Sequence, residues 1–440
     1  MKTLDARCWT PLAAAIALAS GACCAAPSTT TIITVTDGGD AGGAMTCTLR
    51  QAIDAANVHA TAGTCVAGSV NEIVFAAPLA NAVITLQQGQ LSVTQPLTIV
   101  GSGQMLDAYN ASRLFEISNA TFSASHLALG GGNAAGNNGG AVYISGSTDT
   151  RLDHCAIYGG SAHSGGGIGM SNSNVTIVDS QIKFSFATNS GGGIDVRSGS
   201  TLYVARSTIS DNSADSNGGV AVYGLSGANV PATFVSSTIS GNNATTHHGG
   251  VYGSFSNLSL TNTTVYGNTS AGFGGGVFAD RSATTLVNST VSQNSSDAGS
   301  GGVGGKISGS ITLLNSIVAG NSGGNCYNGN NFVAVSANHS LVYSGGTCQI
   351  GDGSNGNITS VQPALGPLAN NGGPTRTMAL DAASPAVGAG SVALATFDGL
   401  PLQYDQRGTG FARTLDGAVD MGAWQGQGQR VFASGFEAGP

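Results

Sequence analysis

The run GGVYGSFSNLSLTNTTVYGN, residues 249–268, decides the fold. Two glycines lead into Val251 to Ser254. Leu258, Leu260 and Asn262 then alternate with Asn257, Ser259 and Thr261, and Val265 leads into Tyr266, Gly267 and Asn268. Alternation at period two with β-branched residues reads as strand. A free-standing helix needs more than about ten residues of helical spacing, which the run lacks.

Working outward, the same pattern recurs from residue 139 to residue 321. After successive glycine runs come Val142, Ile168, Ile194, Val220, Val251, Val277 and Val303, spaced by 26, 26, 26, 31, 26 and 26 residues. A second column, Asn212, Asn242, Asn268, Asn294 and Asn321, recurs at 30, 26, 26 and 27. Two columns sharing one period mark a repeat architecture. Three short strands and three turns per 26 residues predict an all-β chain. Its body is a single-stranded right-handed parallel β-helix with three strands per coil, over residues 71–360. Coils stacked at the ordinary interstrand distance of about 4.8 Å would turn the valine and isoleucine columns into interior files. The asparagine column would sit at a turn and bond from coil to coil through its amides. The glycines would supply tight turns with positive φ. One unit is longer by five residues, which places a loop around Gly224–Val230. The glycine runs are not phosphate loops, because strands follow them. Lys306 is followed by Ile307 rather than Ser or Thr, and no glycine sits five residues before Gly305.

Composition narrows the class. Of 440 residues, 41% are hydrophobic, enough for a large core, and only 8% are charged. Sparse charge with 69 glycines suits stacked sheets with uncharged outer faces. Fourteen basic against 22 acidic residues leave no nucleic-acid footprint. No segment is apolar for long enough to span a bilayer.

Residues 1–26 have the pattern of a secretory signal: Lys2 and Arg7, an apolar core from Pro11 to Ser20, and small residues up to Ala26. Cys23 and Cys24 offer an alternative lipidated N-terminus, although the leucine usual before such a cysteine is missing. After cleavage five cysteines remain. In an exported chain Cys47–Cys65 and Cys326–Cys348 make local disulfides flanking the repeat, where a stack most needs tying down. Cys155 shares a column with Ser207, Ser237, Thr263 and Ser289 and is expected to stay unpaired. No C-x-x-C pair suggests a metal, and no cofactor is implied.

Residues 27–70 are expected to cap the solenoid. Thr46 to Asn57 is the best helix candidate, with Leu49, Ile53 and Ala56 on one face. Cys47-Thr48-Leu49-Arg50-Gln51-Ala52-Ile53 resembles the Cys-Ser-Leu-Arg-Glu-Ala-Ile motif of exported bacterial β-helix proteins, with Thr for Ser and Gln for Glu. A short helix over the open hydrophobic end is the reading preferred to chemistry at Arg50 or Asp54. Glu72–Phe75, Val83–Leu86, Leu91–Val93, Leu97–Val100 and Leu114–Ile117 are predicted as the strands of the first coils. The glycine and Ser-Thr-Ile-Ser-x-Asn units that follow resemble those of polymorphic outer-membrane proteins.

Over residues 361–425 the pattern changes. Leu365-Gly366-Pro367-Leu368, Asn371-Gly372-Gly373-Pro374-Thr375, Ser384-Pro385-Ala386, Asp405-Gln406-Arg407-Gly408 and Asp420-Met421-Gly422-Ala423-Trp424 resemble the choice-of-anchor Q module of such β-helices. Gln425 stands where glutamate is usual. The module is expected to close the far end of the stack. Within 426–440, Val431 to Glu437 resembles short Phe-x-x-Gly-Phe-Glu sorting tails.

Right-handed β-helices host polysaccharide lyases and hydrolases, so a site must be sought. Asp153, Asp179, Asp195, Arg197 and Arg206 form the best constellation for acid–base chemistry. Asp195 and Arg197 share the outward side of one strand. Asp179 and Arg206 occupy one column with Ser236, Asn262, Asn288 and Asn315. The competing reading is surface ion pairing in a variable turn. Tyr143, Tyr223, Tyr252 and Phe278 make a second candidate, an aromatic strip able to stack on sugar rings. Its competing reading is ordinary strand formers on an exposed sheet. The pair His247-His248 lacks a third metal ligand. The chain therefore reads as an exported surface or secreted β-helix with a structural, adhesive or glycan-binding role and no evident catalytic centre. A carbohydrate-active enzyme, lyase or hydrolase, is the alternative. An extracellular glycan or cell-surface component is the partner expected.

Overall fold

The computed structural model describes residues 30–344 and 346–427. The leader expected over 1–26, with Cys23 and Cys24, and the tail at 431–437 lie outside the described residues.

The body is a parallel β-solenoid. One sheet has twelve strands, from Thr30–Val35 to Val333–Asn338, and is called the wide face. A second has eleven, from Val83–Thr85 to Leu341–Val342, and a third has ten, from Leu91–Val93 to Cys326–Tyr327. Over six coils a fourth short strand, first Ser161–Ser164 and last Ser295–Ser296, joins at the corner between the eleven- and ten-stranded faces. The predicted strands of the first coils are present. One further strand, Thr30–Val35, pairs with Val70–Phe75 inside the stretch expected as a cap.

The predicted columns are physical files. Val142 pairs with Ile168, Ile168 with Ile194, Ile194 with Val220, Val220 with Val251, Val251 with Val277 and Val277 with Val303. Each is at most 1% exposed, and burying such a side chain contributes about 1.5–3 kcal/mol. The amide ladder is continuous. Nδ2 of Asn212, Asn242, Asn268 and Asn294 donates to Oδ1 of Asn242, Asn268, Asn294 and Asn321 at 2.9, 2.9, 2.8 and 3.0 Å. A hydroxyl ladder runs beside it. The Cys155 amide donates to Ser180 Oγ and the Ser180 amide to Ser207 Oγ, both at 3.0 Å. Cys155 is unpaired and buried in that ladder, and burial pushes its thiol up to about 11.

The glycine runs do more than turn the chain. In Gly191-Gly192-Gly193 only Gly191 has positive φ, at 65°. A Cβ on Gly192 would stand 2.3 Å from the Gly218 carbonyl oxygen, so the approach of the next coil excludes a side chain there. The long unit bulges where predicted, closing on reciprocal backbone bonds between Leu225 and Ala228.

At the first coil, helix α1 (Leu49–Val58) buries Leu49, Ala52, Ile53, Ala55 and Ala56 over the open core. Thr48 and Gln51 form a reciprocal capping box. Thr48 and Gln51 thus satisfy two backbone N–H groups at the helix start, as a Ser and Glu pair does in a capping box. Arg50 pairs with Asp40 at 2.8 Å and donates to the carbonyls of Gly89 and Gln90. Cys47–Cys65 and Cys326–Cys348 are both disulfides.

The C-terminal segment does not close the far end. It folds back along the eleven-stranded face, whose outward threonines repeat from coil to coil. Gln406 lies over Thr238 and Thr264: Nε2 donates to Thr238 Oγ1 at 2.9 Å, and Thr264 Oγ1 donates to Oε1 at 2.6 Å. The Ala423 amide donates to Thr290 Oγ1 at 3.0 Å. Asn262 and Asn315 donate to the carbonyls of Tyr404 and Ser391, each at 2.8 Å. A row of paired hydroxyls and amides holds a flank more extensively than it could hold a tip. The last coil is instead closed by the Cys326–Cys348 bond and by a parallel bridge from Leu341 to Ile358. Among the described residues no helix is long and apolar enough to cross a membrane.

Candidate functional site

The five charged candidates separate into two groups. The first lies at the corner between the wide and eleven-stranded faces, in a column of left-handed residues. His154, Asp179, Arg206, Ser236, Asn262, Asn288 and Asn315 all have φ between 45° and 51°. Asn262 and Asn315 bond to the C-terminal module. Asp179 and Arg206 pair with each other, Arg206 Nη2 standing 2.6 Å from Asp179 Oδ2. Asp153 takes Arg151 at 2.6 Å and His154 at 2.5 Å. Burial raises the Asp153 carboxyl, but the bonds from Arg151 and His154 outweigh it and hold the group below its ordinary range.

Asp153, His154 and Asp179 offer ligand atoms within 4.8 Å of one another. Both carboxylates are already engaged by arginines, which is a poor fit to a cation site.

The second group lies on the outward side of the ten-stranded face. There Asp195 is 1% exposed. It is gripped by Arg197 through two nitrogens, one of them at 2.8 Å, and accepts from Ser190 Oγ at 3.1 Å. Burial raises its carboxyl above the usual range despite the guanidinium beside it. The same guanidinium lies 4.5 Å from the centre of the Tyr223 ring. Two candidate sets that are separate in sequence are therefore one structure.

From Tyr223 a chain of contacts runs along the axis. Asn217 Nδ2 donates to Tyr223 Oη at 2.6 Å, and Asn217 Oδ1 meets His248 Nδ1 at 2.8 Å. The two Nδ2 hydrogens are directed at Tyr223 and Ser190. Oδ1 is left to accept, and Nδ1 carries the imidazole proton. The His248 ring stacks on Tyr252 with centroids 4.0 Å apart and sits 5.0 Å from Phe278. Phe273 follows at 6.1 Å from Phe278, with Tyr327 5.7 Å beyond and Lys306 4.6 Å from the Phe273 ring. Burial, and then the neighbouring His247, drive His248 down to about 3, so its ring is neutral at ordinary pH.

The column of Tyr143, Tyr252 and Phe278 is in register, with Gly169, Asp195 and Ala221 between. Phe278, expected on the outside, is 1% exposed beneath its neighbours. Tyr143 stands apart, 5.3 Å from the Arg113 guanidinium. Sequence reasoning missed Phe273 and the parts that His248 and Lys306 play here. They come from corners, where the strand period gives no signal. His247-His248 was visible as a pair, but not its place between two rings.

The comparisons with known proteins speak to the fold. The family model described as "Right handed beta helix region" matches residues 98–273. A search of curated proteins finds no match. Among solved structures the chain is similar to the crystal structure of pectate lyase Pel9A, with a TM-score of 0.50 and 14% identity. The match covers 90% of this chain and 97% of that one. At that identity the likeness carries the solenoid architecture and no activity.

Proposed function

We propose that this chain is an exported β-helix protein of the cell surface or the medium. Its role is structural or adhesive, it contacts an extracellular glycan or other surface component, and it has no catalytic centre. One observation carries the reading. Asp153, Asp179 and Asp195 are each committed to an arginine within 2.8 Å. A glycosidase needs two available carboxylates about 5–10 Å apart, and a lyase needs metal-holding acids with a free base. The aromatic chain from Tyr223 to Tyr327 supplies ring edges and cations for a sugar instead.

Export is supported by the two disulfides and by the leader pattern of residues 1–26, with lipidation at Cys23 or Cys24 the lesser route. The structural work done by Thr48, Arg50 and Gln51 supports kinship with the exported proteins bearing the Cys-Ser-Leu-Arg-Glu-Ala-Ile motif. The repeats and residues 361–425 are in keeping with polymorphic outer-membrane repeats and a choice-of-anchor Q module, and the tail with a sorting signal. Neither cofactor nor nucleic acid is required.

The test is incubation of the purified full chain with a panel of neutral and acidic polysaccharides, scored for new reducing ends and unsaturated products. No cleavage is expected; ordinary turnover on any member overturns the reading. On a glycan array, Tyr252→Ala and Phe273→Ala should lower binding, and unchanged binding removes the aromatic strip from it.

The second reading is a carbohydrate-active enzyme, and Asp195 favours it. A buried carboxyl with a raised pKa beside Tyr223 is the form a general acid takes. Asp195→Asn would then abolish turnover while the protein kept its melting temperature.

A further inference from the structure

Eleven lysines and arginines fall among the described residues. Six are in salt bridges: Arg50, Arg113, Arg151, Arg197, Arg206 and Arg407. Arg413 is buried and donates to two carbonyls and a side-chain amide. Arg281 and Lys306 lie over aromatic rings. The remaining two, Lys183 and Arg376, have no acidic or aromatic partner among the described residues, and both line one cavity of about 640 Å³.

That cavity is a cleft where the C-terminal module stops short of covering the eleven-stranded face. Its floor is the outward row of the sheet, including Gln181, Lys183, Thr208, Ser210 and Ser240. One wall is the segment Gly373 to Arg376, just before the module strand Thr377–Leu380. The other wall carries Phe184, 63% exposed, and Asp211. The two cations come from parts of the chain 193 residues apart (376 − 183), so the cleft exists only because the module folds back.

We propose that this cleft binds a carboxylate-bearing oligosaccharide. The volume falls within the roughly 300–1,000 Å³ of small-molecule sites. Lys183 and Arg376 pair with the ligand's carboxylates, Arg376 with the geometry for a two-point contact. The Phe184 ring gives a sugar face something to stack on. The hydroxyl floor and the Asp211 carboxylate suit ring hydroxyls. The Asp211 carboxylate in the same cleft also disfavours polyphosphates and nucleic acids, whose dense negative charge it would repel.

This cleft lies on a different face from the aromatic strip, so the two can be tested apart. Calorimetric titration of the purified full chain would use tetragalacturonate and a hyaluronan tetrasaccharide as acidic probes, with cellotetraose as the neutral one. At least one acidic probe should bind and cellotetraose should not. Lys183→Ala with Arg376→Ala should weaken binding by about tenfold or more, and high salt should weaken it further. Matched melting curves guard against misfolding. Absence of binding by both acidic probes, equal binding of cellotetraose, or undiminished affinity in the double variant would each overturn the proposal. Inorganic pyrophosphate binding more tightly than either acidic sugar would overturn it too.

Discussion

Arg413 is wholly buried in the C-terminal module and donates to Oε1 of Gln425 at 3.0 Å, a neutral amide oxygen rather than a carboxylate. Its other partners are the carbonyls of Gly422 and Asp420. Desolvation lowers this guanidinium to about 10, with Asp405 and Asp420 countering in part. A buried charge held by neutral oxygens is costly.

Gln425→Glu should therefore raise the melting temperature by a few degrees, since the charge is already desolvated and gains a direct counter-ion. Arg413→Ala should lower stability by about 3 kcal/mol or more through lost packing and stranded carbonyls. Thermal denaturation of both variants checks this. A Gln425→Glu protein that melts lower than the parent would contradict it.

His248 makes acid stability titratable. The unfolded group titrates near 6.5 and the folded one at about 3. Between those values the unfolded chain binds the extra proton. Stability contributed here is intact above pH 6.5 and declines as pH falls toward 3. Asp195, raised when folded, acts in the opposite sense near the ordinary carboxylate range. Chemical denaturation at stepped pH should show a steeper loss in the parent than in His248→Phe, which keeps a ring between Tyr252 and Phe278.

Asn268 lies mid-ladder, donating to Asn294 and accepting from Asn242. Asn268→Ala strands a donor and an acceptor in the core and should cost about 1–3 kcal/mol for each. Asn321 is part-buried near the end of the ladder. Asn321→Ala should cost less, and a urea series comparing the two decides the point.

The Cys47–Cys65 bond closes a short loop of sequence separation 18. Its removal by Cys47→Ser with Cys65→Ser should cost about 3 kcal/mol. Hydrogen exchange should rise first in α1 and in Thr30–Val35, which it fastens over the open core. Uniform loosening of the distant coils instead would argue against a local cap.

The solenoid could be read from sequence because a parallel stack forces one residue type to repeat at one position. Ile194, Val220 and Val251 share an environment, and so do Asn242 and Asn268. The bulge was legible as an interruption of the period, the disulfides from cysteines flanking the repeat, and the capping helix from the apolar face of Leu49, Ile53 and Ala56. The site was not. Arg197 and Tyr223 hold one repeat position on adjacent coils, but no recurring residue type marks that outward position, so the period gives no sign of their contact. Phe273 reaches Phe278 from a corner where alternation carries no information. The docked flank was hidden too. Thr238, Thr264 and Thr290 point outward at the same spacing whether water or Gln406 lies above them, so nothing in the pattern distinguishes a covered row from a bare one.

Because the module returns along the side, residue 427 emerges near the coils of Thr264 and Thr290 and not beyond the last one. If the sorting tail proposed above is what holds the protein, the pull is broadside. The rod would then lie lengthwise against whatever holds it and display a long edge outward, where attachment at its tip would have stood it upright like a bristle.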